Sequence, residues 1–506
     1  MPTLLKSSLL VSVFLVLNIL ANFAVEAGLA AILGASAEMD AYLAAAVVPE
    51  YLILLLQAGI QFSLVPIIVK AYESAEQAEV SKLVDTMLAS LLALFVLICG
   101  FSFVAAEQVA ALLAPGFAGE QTELLARLLP FIVPGAFFRV AALVLASYFY
   151  AQRRFILPAA APVLGALVQF GIVLLAVPDF RAEAAACAFV VNHVVQFGLL
   201  LAAYQKSRQA AFKLDFRLPL FGRALQAMWP LLFGAIFFRA VFLVDRFLAS
   251  DFNAGSITRL AYATKIVIVM ISTGASGFLT VMFPELSKLY AQKAWARLRA
   301  MNSQAIAILL FVSVFFCMVM VFSGDIWIKL FLQRGAFTSA DTNAVAGLVV
   351  ILSGMLICGA IGAHTANLFY ASGDTRTPTV IAFLGFWFGT ALKVVFSQKW
   401  TIYGIALATS MHYVVNAIAM MWLLQRKGAL FDLRQMLFDG LRIGASALAA
   451  ASVFYLMQFM TMWPKLIVAG FAILVAGTIY FAIASLLKLS VVGLLMRRFA
   501  AKLGRR

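Results

Sequence analysis

Apolar runs of about twenty residues alternate with short polar segments along almost the whole chain, and a helix needs roughly that length to cross a bilayer's hydrocarbon core. The runs fall at 8–33, 41–69, 83–106, 128–150, 158–178, 184–204, 229–250, 256–287, 304–323, 342–371, 379–397, 401–425, 436–460 and 464–487. Backbone groups in lipid must be satisfied within their own segment, and the period-two alternation of barrel strands is absent. The pattern therefore predicts an all-α polytopic membrane protein of about 14 transmembrane helices. Segments 41–69 and 256–287 are long enough to require tilting, bending or projection from the membrane. Gln108–Arg127 and Asp325–Asp341 are only partly apolar and contain Pro115-Gly116 and Arg334-Gly335, so short amphipathic pieces or half-turns at the interface are expected there.

Composition agrees with the pattern. The 506 residues are 64% hydrophobic and 12% charged, whereas soluble domains run near ~45–50% apolar. The net charge of +15 does not indicate nucleic acid, because the basic residues sit in short loops. One set of alternate loops carries Lys70, Lys82, Arg153, Arg154, the run from Lys206 to Arg223, Lys288 to Arg299, Arg376, Arg426, Lys427 and Arg434. The other set, 34–40, 107–127, 179–183, 251–255, 324–341, 398–400 and 461–463, is poor in lysine and arginine. The positive-inside rule places the first set and both termini in the cytoplasm, where the basic loops would also attract an anionic inner leaflet. Lys6 and the apolar stretch after it could mimic a signal peptide. That stretch runs on to Leu33 through Asn18, Asn22 and Glu26, and reads as an uncleaved first span. Cys99, Cys187, Cys317 and Cys358 are scattered through apolar runs, implying neither disulfide nor metal.

An internal repeat organises the spans. Phe149-Tyr150-Ala151 and Pro158 recur as Phe369-Tyr370-Ala371 and Pro378, and Ala41-Tyr42 recurs as Ala261-Tyr262. Pro66, Lys70 and Tyr72 recur as Pro284, Lys288 and Tyr290, and Pro115-Gly116-Phe117 stands beside Gly335-Ala336-Phe337. Four matches in order at nearly one offset imply two parallel-related six-helix repeats plus two C-terminal helices. The expected division is an N-lobe at 1–204, an inter-lobe loop at 205–228, a C-lobe at 229–427, and two final spans with a basic tail at 428–506. Repeats related by an axis along the membrane normal are characteristic of transporters, whose substrate site lies between the halves.

The stretch Trp229–Tyr290 carries Arg239, Asp245, Arg246, Arg259 and Lys265 within or beside two spans. A charge at bilayer depth costs at least ~2.5–3.5 kcal/mol. Either these groups face a wet cavity, or Asp245 pairs with Arg239 or Arg246 as a structural tie. Lys265 and Arg239 are the leading candidates to grip an anion, with Arg139 beside them, since a guanidinium can fork onto phosphate and an ammonium can act as a point charge. Glu50 follows Pro49, which kinks the span, and Glu26 and Glu50 are candidate proton carriers or partners of Arg139. His193, His364 and His412 sit on different spans without neighbouring carboxylates, so no metal site is expected and each is read as a helix–helix hydrogen bond. No nucleophile triad or phosphate-cradling loop is present, so no enzyme, catalytic residue or cofactor is expected.

The residues Gly34-Ala35, Asp40-Ala41, Pro49, Gly59, Val65-Pro66 and Ala114-Pro115-Gly116-Phe117 resemble the opening of the MviN/MurJ lipid II flippases. Similar matches follow at Arg154-Phe155, Leu157-Pro158-Ala159, Ala161-Pro162-Val163-Leu164, Val244-Asp245, Leu248-Ala249-Ser250, Tyr262-Ala263, Pro284, Asp374, Thr377-Pro378 and Gly404 through Ser410. The resemblance implies the multidrug/oligosaccharidyl-lipid/polysaccharide exporter fold and transfer of an undecaprenyl-pyrophosphate-linked glycan between leaflets. Asp40 joins Glu26 and Glu50 as a candidate substrate-binding carboxylate. The family's arginines of spans 1 and 2 correspond to Ile19, Val25 and Ile53, and its span 8 arginine to Lys265. Asp245, Ile405 and Thr409 match the family's sodium site. Lys393 stands where an Asn or Asp would help hold the ion, so its ammonium is expected to replace sodium. Lipid II is the expected cargo, with an exopolysaccharide or O-antigen repeat unit, a drug/cation antiporter and a non-transporting cell-wall scaffold as alternatives. Expected partners are the lipid-linked oligosaccharide, membrane lipids and cell-wall synthesis enzymes, with no nucleic acid and a monomeric state.

Overall fold

The computed structural model describes residues 2–73, 77–208, 212–428, 430–457 and 465–489. Its elements are α1 (Pro2–Leu33), α2 (Ala37–Glu73), α3 (Gln77–Val104), α4 (Ala106–Leu113), α5 (Glu120–Ile132), α6 (Pro134–Ala151), α7 (Ile156–Ser207) and α8 (Pro219–Ala249). They continue as α9 (Ser256–Ala291), α10 (Trp295–Leu332), α11 (Ser339–Ile351), α12 (Ser353–Ala371), α13 (Arg376–Gly428), α14 (Leu433–Met457) and α15 (Lys465–Leu486). Among the described residues, ten helices are long and apolar enough to cross a membrane, and the pair α11 and α12, bent by 44°, makes eleven.

Two of those helices are hairpins. The 52 residues of α7 would stretch about 78 Å if straight, far beyond a bilayer. The chain reverses at Arg181, which has φ 51°. The arms then run antiparallel, so that Asn192 donates to Gln169 at 2.6 Å. In α13 the reversal is at Trp400 and Thr401, with Thr401 at φ 52°, and His412 on the return arm meets the Gly385 carbonyl at 2.7 Å. The expected loops at 179–183 and 398–400 are thus reversals of one or two residues. The expected count of about 14 crossings treats each arm separately and includes α8.

The segments 108–127 and 325–341 are more helical than expected. Gln108–Arg127 holds all but the start of α4 and the first half of α5, while α10 continues through Asp325 and Lys329 to Leu332 before the chain turns at Arg334-Gly335.

The chain packs as two compact units. One runs from the N-terminus to Thr258 and includes Leu332–Thr338. The other comprises Arg259–Phe331 and the residues from Ser339 onward. In the first unit α1 packs along α7, and α2 packs along α8 and α6. In the second, α12 packs along α13 and α14 along α15. The last two helices are fixed to α10 by aromatic rings. Tyr480 stacks on Phe311 with centroids 4.4 Å apart and donates to its carbonyl at 3.0 Å, while Phe454 stacks on Phe322 at 5.4 Å.

The repeat is visible in backbone geometry. After α6 the amides of Gln152, Arg153 and Arg154 bond the carbonyls of Tyr148, Tyr150 and Phe149. After α12 those of Ser372, Gly373 and Asp374 bond Leu368, Tyr370 and Phe369, each 220 residues on. Both are Schellman ends, with a left-handed residue, Arg153 at φ 60° and Gly373 at φ 77°.

Candidate functional site

The charged stretch divides between the units. Asp245 and Arg246 lie on α8 in the first, and Lys265 lies on α9 in the second. Arg246 is 8% exposed. Its Nη1 donates to the Ile257 carbonyl at 3.3 Å, and its Nε has no hydrogen-bond partner among the described residues. The carboxylates acting on it most strongly are Glu50, then Asp245, Asp40 and Glu26. This gathers acids from α1, α2 and α8 around one guanidinium. Arg246 is therefore held in an acid-rich setting.

Asp40 has a structural task. Its carboxylate accepts from the Gly255 amide at 2.7 Å, the Thr258 amide at 2.7 Å and the Thr258 hydroxyl at 2.6 Å. These donors open α9, so a buried anion caps a helix N-terminus where partial positive charge collects. The same end of the first unit is tied by Arg181, whose Nε and Nη2 reach Glu38 Oε2 at 2.9 and 2.7 Å and whose Nη1 donates to the Ile32 carbonyl. The Ala336 amide donates to the Ala31 carbonyl at 2.8 Å. Gly335 has φ 54°, and a Cβ there would lie inside the contact radius of the Ala31 carbonyl oxygen, so only glycine lets this strap approach α1.

Arg139 differs from Arg246. On α6 its Nη1 donates to Gln196 Oε1. The relay continues from Gln196 to Asn192 at 2.6 Å and from Asn192 to Gln169 at 2.6 Å. No carboxylate partners it among the described residues, so its positive charge is uncompensated there. Glu26 and Glu50 were expected as proton carriers or as partners of Arg139; in the structure the Arg139 guanidinium is held by the Gln196 amide.

Arg239 lies on α8, and its side chain falls outside the described residues. Lys265 is half-buried on α9. Lys393 is 2% exposed in the outgoing arm of α13, while Ile405 and Thr409 are buried in the return arm, with Thr409 donating to the Ile405 carbonyl at 2.9 Å. Asp245 belongs to the first unit and these three to the second. Among the described residues no group of His, Cys, Asp and Glu is arranged to hold a metal ion. His412 makes its inter-arm bond, and His193 meets Gln196 on its own helix at 3.3 Å. His364 is wholly buried, and among the described residues neither ring nitrogen has a hydrogen-bond partner, which departs from the expected helix–helix bond.

Residues 29–476 match the family model described as lipid II flippase MurJ. The chain belongs to the MurJ lipid II flippase family. A probable lipid II flippase MurJ of Rhizobium tropici is 23% identical over 408 residues, covering 77% of this chain and 76% of its own. One from Rickettsia prowazekii is 28% identical over 161 residues, about a third of either chain (32% of each). The fold is similar to a solved lipid II flippase MurJ in an inward closed conformation, with TM-score 0.81 at 19% identity, over 96% of this chain and all (100%) of the other. Within this MurJ-family chain the positions expected from the resemblance to correspond to the family's front arginines, Ile19, Val25 and Ile53, are apolar. Val25 and Ile53 are 3% and 9% exposed, and Ile19 is 52% exposed.

Proposed function

We propose that the chain is a flippase that moves an undecaprenyl-pyrophosphate-linked glycan, with lipid II as cargo, from the cytoplasmic to the outer leaflet by alternating access. The observation that carries this reading is the family match over residues 29–476, which takes in α14 and reaches into α15. In this reading the protein sits in the bacterial inner membrane with both termini cytoplasmic, and works as a monomer without catalytic chemistry. Its lobes are 1–204 and 229–427, joined by 205–228 and followed by two appended spans.

A pyrophosphate at membrane depth needs cations. Lys265, Arg239 and Arg139 are assigned that task, with Arg139 favoured over Arg246 because it has amide rather than acid partners. Glu26, Glu50 and Asp245 form an acid set that takes up protons or cations during the cycle, and Asp40 holds the frame around them. The buried Lys393 ammonium takes the place of a sodium ion beside Ile405 and Thr409. Transport by the wild type is then indifferent to sodium. Sodium-dependent transport by the wild type, with that dependence abolished in Lys393→Asn, would overturn this assignment.

The deciding experiment is rescue of cells depleted of their own lipid II flippase, read as growth and as externalised lipid II. Rescue is expected, with Lys265→Ala and Arg139→Ala each lowering lipid II export at least tenfold at unchanged expression. A second cargo, an exopolysaccharide or O-antigen repeat unit, is supported by apolar Ile19, Val25 and Ile53 at the positions where the resemblance expects the family's front arginines. Failure to rescue, with export of such a repeat unit intact, would select that reading.

A further inference from the structure

The segment joining α7 to α8 includes Phe212-Lys213-Leu214-Asp215-Phe216-Arg217-Leu218. Two of these residues hold it down. The Asp215 amide donates to Thr86 Oγ1 at 3.0 Å, and Leu218 is 4% exposed. The turn closes on itself, with the Arg217 amide on the Asp215 carboxylate at 3.0 Å and the Leu218 amide on the Asp215 carbonyl at 3.2 Å. The intervening side chains point outward. Phe212, Leu214 and Phe216 are 61%, 42% and 59% exposed, and Lys213 and Arg217 stand exposed among them.

The second unit contains the same device 217 residues on. There the Asp432 amide donates to Ser303 Oγ at 2.9 Å. Yet Leu430 and Phe431, which occupy the places of Lys213 and Leu214, are 4% and 2% exposed and belong to a buried core with Leu286 and Leu424. The tie is therefore compatible with burying these positions. The first unit uses it to display them.

Apolar side chains held in water forgo the stabilisation that burial gives. Aromatic rings interleaved with lysine and arginine suit the headgroup level, where rings enter the acyl boundary and cations meet phosphate. The segment lies among the basic loops that face the anionic leaflet under the positive-inside rule. We infer that residues 212–217 form a lipid-interface anchor. Phe212, Leu214 and Phe216 enter the headgroup–acyl boundary, while Lys213 and Arg217 hold anionic phospholipid headgroups. The anchor fixes the depth at which α8 begins, and with it the depth of Asp245 and Arg246.

The test uses the full chain in nanodiscs, with Phe216→Trp read as a difference spectrum against the parent protein. Brominated phospholipid is expected to quench the added tryptophan, and aqueous iodide is not. Brominated phosphatidylglycerol is expected to quench more than brominated phosphatidylcholine, and Lys213→Gln with Arg217→Gln to remove that preference, up to about fivefold per cation. Quenching by iodide alone would place the loop in water, and quenching by neither would place it under protein; each overturns the inference. Equal quenching by the two lipids before and after neutralisation would overturn the headgroup contact.

Discussion

At the scale of single residues, position in the repeat decides what a side chain must tolerate. Arg153 and Gly373 occupy the same left-handed site, which disfavours any residue bearing a Cβ by about 1–2 kcal/mol. Gly373→Ala should therefore lower thermal stability in detergent by about 1 kcal/mol. Its neighbour Asp374 accepts a hydrogen bond from Lys427 Nζ, then from the Thr377 hydroxyl and amide, and these hold its carboxyl well below the usual carboxylate range. A depressed folded value means that stability is fully present above the unfolded value near ~3.9 and is lost as pH falls through the folded one. The melting-temperature gap between wild type and Asp374→Asn should be open at pH 7 and narrow progressively below about pH 4. Asp40 shows the limit of reading residues alone. Its acid was visible in the sequence, but the donors that occupy it are 215 and 218 positions away. Asp40→Ala should leave Gly255 and Thr258 unsatisfied and destabilise the protein by about 1–3 kcal/mol, measured by thermal unfolding.

At the scale of elements, the apolar runs were legible because a bilayer fixes their length. Their neighbours were not, because lipid is as apolar as a protein interior and imposes no polar stripe to reveal which face is packed. Hence the spans around Glu26, Glu50 and Asp245 could be drawn from sequence, but not the convergence of those acids on Arg246, nor the amide relay that claims Arg139. The strap at Leu332–Thr338 was similarly hidden. Its Arg334-Gly335 turn was recognised, but not the approach of Gly335 to the Ala31 carbonyl. Gly335→Ala should push the strap off α1 and expose the Ala31 carbonyl. A cysteine introduced at Ala336 would then label faster with a water-soluble maleimide than in the Gly335 parent. Unchanged labelling would mean that the strap does not depend on this contact.

For the whole molecule, membrane-depth charges on several elements and the expected internal repeat suit the proposed transport of a lipid headgroup. Replacing Lys265 and Arg139 together by glutamine should abolish flipping in reconstituted vesicles while leaving the melting temperature within a few degrees of wild type. Loss of folding in that variant would reassign both residues to architecture. The reversals at Arg181 and at Trp400-Thr401 bear on biogenesis. One or two residues cannot bridge a helix still in the translocation channel and a partner already released into lipid. Gln169 and Asn192 also satisfy each other only once both arms are present. Each of these hairpins must therefore leave the insertion machinery as a pair, and a nascent chain halted between its arms would be retained there instead of being integrated.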